Sequence, residues 1–137
     1  MKKLILIFLS TVTLFACDKV YINGDLDGMW HLQSVSCEDS TIIPEAVYYS
    51  FQRHMTQISK HYDTELPLRF LGNMRHANGT LTMWGFHIHP LETHAATLEE
   101  LALFHLCSDS TTFRVITLNE ERLILEERGR IFTLRKW

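Results

Sequence analysis

The segment LPLRFLGNMRHANGTLTMWGFHIH, Leu66 to His89, restricts the fold more than any other stretch of this chain. Two apolar-rich runs flank Asn78-Gly79, a dipeptide suited to the type I′ turn, whose two central residues both need positive φ. Apolar and polar residues alternate through much of both runs, which is the period of a strand and not of a helix. A long antiparallel hairpin is expected. Asn78-Gly79-Thr80 also spells a glycosylation sequon, but the turn chemistry accounts for the dipeptide.

Strand texture continues on both sides of this hairpin. MWHLQSVSC, Met29 to Cys37, reads as a strand followed by the turn-prone EDST. AVYYSFQRHMTQISKH, Ala46 to His61, reads as one bent strand or two strands with a bulge between them. Its alternation sets Val47, Tyr49, Phe51 and Met55 against Tyr48, Gln52 and His54. THAATLEELALFHL, Thr93 to Leu106, is the one convincing helix: Thr97 and Glu100 form a capping box ahead of an apolar face. The tail returns to strands, with TTFRVITL, RLILEE and RIFTLRKW separated by turns at Asn119–Glu121 and at Arg128-Gly129. The pattern predicts an all-β chain of about eight antiparallel strands closed into a barrel with one short helix.

The N-terminus carries an address. Lys2 and Lys3 precede a short apolar run, Leu4 to Phe15, which falls short of the about 20 apolar residues of a bilayer-spanning helix. It has the length and flanks of a secretory signal. Leu14-Phe15-Ala16-Cys17 resembles a bacterial lipobox, and that resemblance implies acyl chains on Cys17 and anchorage to a lipid bilayer. The expected organisation is a signal peptide over 1–16, a lipidated tether over 17–27 and a barrel domain over 28–137. The implied location is a bacterial cell envelope, at the outer membrane in preference to the inner, with the domain facing the periplasm or the outside. Asp18 would retain such a protein at the inner membrane in enteric bacteria, a rule that other Gram-negative groups do not follow.

Cleavage would remove two lysines from 13 basic residues against 16 acidic ones, so the mature chain is more acidic, at −5. No basic stripe is visible, which argues against a nucleic-acid partner. With Cys17 lipidated, Cys37 and Cys107 remain as an even pair in an oxidising compartment and are candidates for a disulfide, the alternative being two separate thiols.

At Gly28-Met29-Trp30 the chain resembles the lipocalin signature, a Gly-x-Trp opening the first strand. Ile131 to Trp137 is similar to the closing strand of lipocalin-like lipoproteins of gut-dwelling Gram-negative bacteria. The resemblance implies a lipocalin-like barrel in which Trp30 sits at the closed end beneath a basic residue of the last strand, Arg135. That role is structural. The chain is shorter than typical lipocalins and its helix lies mid-chain.

GFHIHPLETH, Gly85 to His94, poses the question of a metal centre. His87, His89 and Glu92 resemble the first metal-binding motif of cupins, and such donors suit zinc, iron or copper. The second cupin segment is missing, and Pro90 should end the strand at His89. A strand end and a polar loop are the preferred reading, with no metal, no cofactor and no catalytic constellation. Tyr49, Phe51, Trp84 and Phe86 are candidates to line a barrel mouth, Trp84 and Phe86 sharing a face by period two. For the same side chains a plain core role is the preferred reading. The leading expectation is therefore non-catalytic binding of a small hydrophobic molecule or lipid. A filled barrel docking on an envelope complex is the alternative, and a cupin-like metal enzyme using His87, His89 and Glu92 comes third.

Overall fold

The computed structural model describes residues 22–88 and 94–137. Within them, nine strands follow one another: β1 Gly28–Cys37, β2 Ser40–Ile42, β3 Val47–Gln52, β4 Met55–Lys60, β5 Leu68–Ala77, β6 Thr80–Ile88, β7 Ser110–Leu118, β8 Arg122–Glu127 and β9 Arg130–Lys136. A five-residue helix α1, Leu98–Ala102, lies between β6 and β7, and a 3₁₀ turn, Gly24–Leu26, precedes β1. Every pairing is antiparallel, and β1 pairs with β9, so that eight strands close into a barrel. The short β2 stands outside that count. It covers Val35–Cys37, beyond the Gly28–His31 segment of β1 that β3 covers.

The hairpin that most constrained the fold is present. Asn78 (φ 53°) and Gly79 (φ 73°) join β5 to β6, and Arg128 (φ 50°) with Gly129 (φ 78°) repeats the device between β8 and β9. The segment from Ala46 to His61 forms two strands joined by a tight turn at Arg53-His54, with Arg53 at φ 56°. Val47, Tyr49 and Phe51 face inward as expected, whereas Met55 lies past the turn, where the alternation restarts, and is exposed.

The antiparallel order gives the barrel two distinct ends. The 3₁₀ turn and the turns at 53–54, 78–79 and 119–121 lie at one, which we call the tether end because residue 22 enters there. The connections at 38–39, 43–46, 61–67 and 128–129, and the segment carrying α1, lie at the other, the lid end. Between them, Trp30, Tyr49, Phe51, Phe70, Phe104, Phe113 and Phe132 are all essentially inaccessible, within one continuous apolar cluster. Burial of a side chain of this kind stabilises the fold by about 1.5–3 kcal/mol. A small eight-stranded barrel has room for little more than such side chains.

Candidate functional site

Each end of the barrel is sealed by a specific device. At the tether end, Gly28 adopts φ 124°, and a Cβ there would lie 3.1 Å from Lys136 Nζ. The glycine thus lets the chain turn into β1 while the lysine side chain crosses it. Lys136 Nζ stands 4.4 Å from the centroid of the Trp30 ring and donates to the carbonyls of Asp25 and Asp27. Trp30 Nε1 donates to the carbonyl of Leu26 at 2.8 Å, and Leu26 is itself fully buried. Burial holds the Lys136 ammonium below its ordinary pKa, with Asp25 and Asp27 acting in the opposite direction.

The cation over Trp30 is therefore Lys136, and the expectation of Arg135 in that place is corrected. Trp30 and Lys136 are direct partners in the β1–β9 ladder, so their side chains share a face of the sheet. Arg135 is one residue removed and points outward, exposed.

At the lid end, Thr97 Oγ1 accepts from the Glu100 amide and the Glu100 carboxylate accepts from the Thr97 amide, completing the capping box read from the sequence. Those bonds hold the Glu100 carboxyl below its usual pKa, chiefly through the Thr97 amide. The helix is only five residues long, shorter than the apolar pattern suggested. The chain leaves it through Leu103 and then His105 at φ 64°, which turns Phe104 and Leu106 into the barrel. Tyr49 donates its hydroxyl to the Phe104 carbonyl, Phe70 meets the Phe104 ring edge-to-face at 5.8 Å, and Arg130 donates to the His105 carbonyl. Burial pushes the Tyr49 phenol far above its ordinary pKa and depresses that of His105, the latter reinforced by Lys60 and Arg130.

The aromatic set proposed for a barrel mouth separates. Tyr49, Phe51 and Phe86 are buried in the core, and Trp84 is outside with 39% of its surface exposed. Period two fails between Trp84 and Phe86 because β6 bulges there. Leu71 pairs with His87 and Asn73 with Trp84, leaving Gly72 opposite both Gly85 and Phe86. Gly85 takes φ 69°, a conformation that glycine accepts readily. The Phe86 ring then lies against Gly72, where a Cβ would be only 2.7 Å from it. The pair Gly72 and Gly85 was the sequence signal for this irregularity.

Cys37 and Cys107 are both free and exposed, so the candidate disulfide is not formed. Cys37 ends β1 opposite Ser40 and Arg130, while Cys107 follows the lid. His87 directs Nδ1 to the Gly85 carbonyl at 3.2 Å, and His94 approaches Glu100 at 3.4 Å. His89 and Glu92 lie outside the described residues, as does Cys17. Among the described residues no three potential metal donors gather.

A family model of the lipocalin-like domain matches residues 12–137. This chain belongs to the lipocalin-like domain family. The fold agrees: a lipocalin-like protein of Bacteroides uniformis superposes with a TM-score of 0.68 at 23% identity, over 83% of this chain and 100% of that one. An uncharacterized protein of Bacteroides eggerthii gives 0.64 at 17% identity, over 82% and 99%. No curated protein matches the chain.

In this lipocalin-like barrel, three concave surfaces among the described residues are open to solvent. A groove of about 460 Å³ is lined by Gln33, Asn119, Glu121, Arg122, Leu134 and Arg135. A second hollow of about 270 Å³ shares Gln33 and Arg135 with it and adds His31, Lys136 and Trp137. A third, of about 330 Å³, lies at the tether end around Gly24 and Lys136. None is lined by Tyr49, Phe51, Trp84 or Phe86. The lid end carries a different surface: Ile42, Ile43, Tyr62, Leu66, Leu98 and Leu103 are all substantially exposed, Ile43 and Leu66 by more than 80%. On α1 and the residue after it, Leu98 and Leu103 face solvent while Leu101 points into the core.

Proposed function

We propose that this chain is a lipid-anchored, non-catalytic protein of a bacterial envelope that works by docking the lid end of its barrel on a partner protein. Acylated Cys17 would hold it to the bilayer, outer membrane in preference to inner, and the residues between Cys17 and the 3₁₀ turn would serve as the tether. One observation carries the docking reading. The interior is occupied by the chain's own aromatic side chains, while six large apolar residues on β2, α1 and the connections at the end opposite the tether are substantially exposed. Apolar groups gathered on one surface commonly mark interaction sites. The geometry would direct them away from the anchoring membrane.

Family membership favours a second reading, in which a small hydrophobic molecule enters the barrel. That would require displacing the Phe104 plug from Tyr49 and Phe70.

Native mass spectrometry of residues 18–137, exported to a periplasm without the lipid, separates the two. A bare polypeptide mass supports docking. A passenger of a few hundred daltons that disappears on denaturation would sink it in favour of carriage. The anchor is tested separately: Cys17→Ser in the full chain should move the protein from the membrane to the soluble fraction.

A further inference from the structure

On the outer wall of the barrel, Arg122 of β8 and Arg135 of β9 are directly opposite each other in the ladder. Like charges in that position are destabilising. Elsewhere the chain avoids this. Arg114 faces Glu126 and pairs with it at 3.3 Å, and Arg130 faces Glu127 and pairs with it at 2.7 Å. Arg122 and Arg135 make no ion pair and no side-chain hydrogen bond with any described residue. Glu121 borders the same groove without closing to ion-pair distance of either.

The surroundings are those of a built concavity. β1 shifts register between Leu32 and Ser34, so Gln33 is the extra residue of a bulge, placed on the outer face where it lines both the 460 Å³ groove and the adjoining hollow. Asn119 Oδ1 accepts from the amides of Glu121 and Arg122, fixing the turn that forms the groove's edge. Beyond Arg135, the Trp137 indole is 73% exposed yet held edge-on by Tyr48 at 5.2 Å and by His31 at 5.9 Å. An aromatic plane fixed in advance loses little freedom when a ligand stacks on it.

We propose that this groove binds a small polyhydroxylated anion, a sugar acid or a sugar phosphate. Two guanidinium forks match a carboxylate or phosphate, and the anion relieves the repulsion between them. The Gln33 amide and the Glu121 carboxylate supply donors and acceptors for hydroxyls. The electron-rich indole face of Trp137 receives the C–H face of a ring. A volume of about 460 Å³ suits a ligand of that size. The lining, polar at every position but Leu134, offers nothing to an acyl chain, which excludes a lipid tail as the occupant. The inference goes beyond the docking reading and does not rest on it.

The test is calorimetric titration of the full chain in neutral detergent micelles with glucuronate, glucose 6-phosphate, glucose and inorganic phosphate. At least one of the two acidic sugars should bind saturably at one site, glucose about tenfold more weakly or worse, and R122Q and R135Q should each weaken binding about tenfold. W137A should weaken both acidic sugars while leaving inorganic phosphate unchanged. Because both arginines point outward, the variants should melt no lower than the parent protein, so lost binding reads as a lost site. No saturable binding of either acidic sugar, or binding undiminished in the R122Q/R135Q double variant, overturns the proposal. Inorganic phosphate binding as tightly as glucose 6-phosphate overturns the sugar assignment.

Discussion

The ammonium group of Lys136 sits 4.4 Å from the centroid of the Trp30 ring and donates to two backbone carbonyls of the lead-in segment, those of Asp25 and Asp27. This single side chain joins the last strand, the first strand and the 3₁₀ turn, and so closes the tether end. Replacing it with Met keeps much of the stem but removes the charge and the donors. Lys136→Met should destabilise the protein by about 1–3 kcal/mol, from a cation–π contact and charged hydrogen bonds in a partly desolvated site. Arg135→Met, one residue away on the outer face, should stay within about 0.5 kcal/mol of the parent. Urea unfolding of the two variants measures the difference. Equal losses would mean that the cation over Trp30 is not the closing element.

Tyr49 plays the corresponding part at the lid end. Its buried hydroxyl donates to the Phe104 carbonyl, holding the segment that plugs the barrel. Tyr49→Phe removes the donor and leaves that carbonyl without its partner, so a loss of about 1–3 kcal/mol is expected. Hydrogen exchange should localise part of the effect to residues 98–106, which would open more often than the barrel strands. Uniform loss of protection across all strands, with none specific to the lid, would contradict the role given to this bond.

The two sealing devices also show what the sequence made legible. Gly28 and Trp30 identified that end through their resemblance to a family signature, a Gly-x-Trp whose residues lie together in the sequence. The cation could not be chosen between Arg135 and Lys136 without the β1–β9 register, which joins residues more than a hundred positions apart. The Asn78-Gly79 hairpin and the Thr97–Glu100 capping box were readable for the same reason as Gly28: all their chemistry is local. The length of α1 was not, because a positive φ at His105 redirects the chain into the core instead of continuing the helix. The outer groove left no local signal at all. It arises from a bulge in β1, one arginine each on β8 and β9, and the turn that joins β7 to β8.

The bulge in β6 was half visible. Gly72 and Gly85 stood in the sequence as interruptions, yet simple alternation placed Trp84 and Phe86 on one face. The finding that Phe86 packs on Gly72 makes a further prediction. In Gly72→Ala the new methyl group would meet the Phe86 ring at 2.7 Å and the Trp84 carbonyl at 3.0 Å. The ring or the backbone must move, at about 1–3 kcal/mol. Phe86→Ala should cost more, about 3–5 kcal/mol, by opening a cavity. In the double variant the alanine at 72 no longer overlaps a ring, so the two losses should sum to more than the combined effect. Strict additivity in thermal unfolding would show that the two residues do not touch.

The capping box gives the lid a pH dependence of known sign. Glu100 has its folded-state pKa lowered, chiefly by the Thr97 amide, and its ordinary value applies in the unfolded chain. A depressed carboxyl pKa stabilises the folded state fully above the unfolded value of about 4.3, and that contribution is lost as the pH falls through the folded value. Glutamine can still accept from the Thr97 amide, as in other capping boxes, but does not titrate. The parent protein should therefore be the more stable at neutral pH, and its advantage over Glu100→Gln should shrink as the solution is acidified towards pH 3. Thr97→Ala removes the other half of the box and should cost about 1 kcal/mol. Since His94 also approaches Glu100, the same series in a His94→Ala background isolates the amide contribution. Melting temperatures between pH 3 and 7 provide the measurement. An advantage that grew on acidification would mean that folding raises the Glu100 pKa, and that the carboxylate is not what caps the helix.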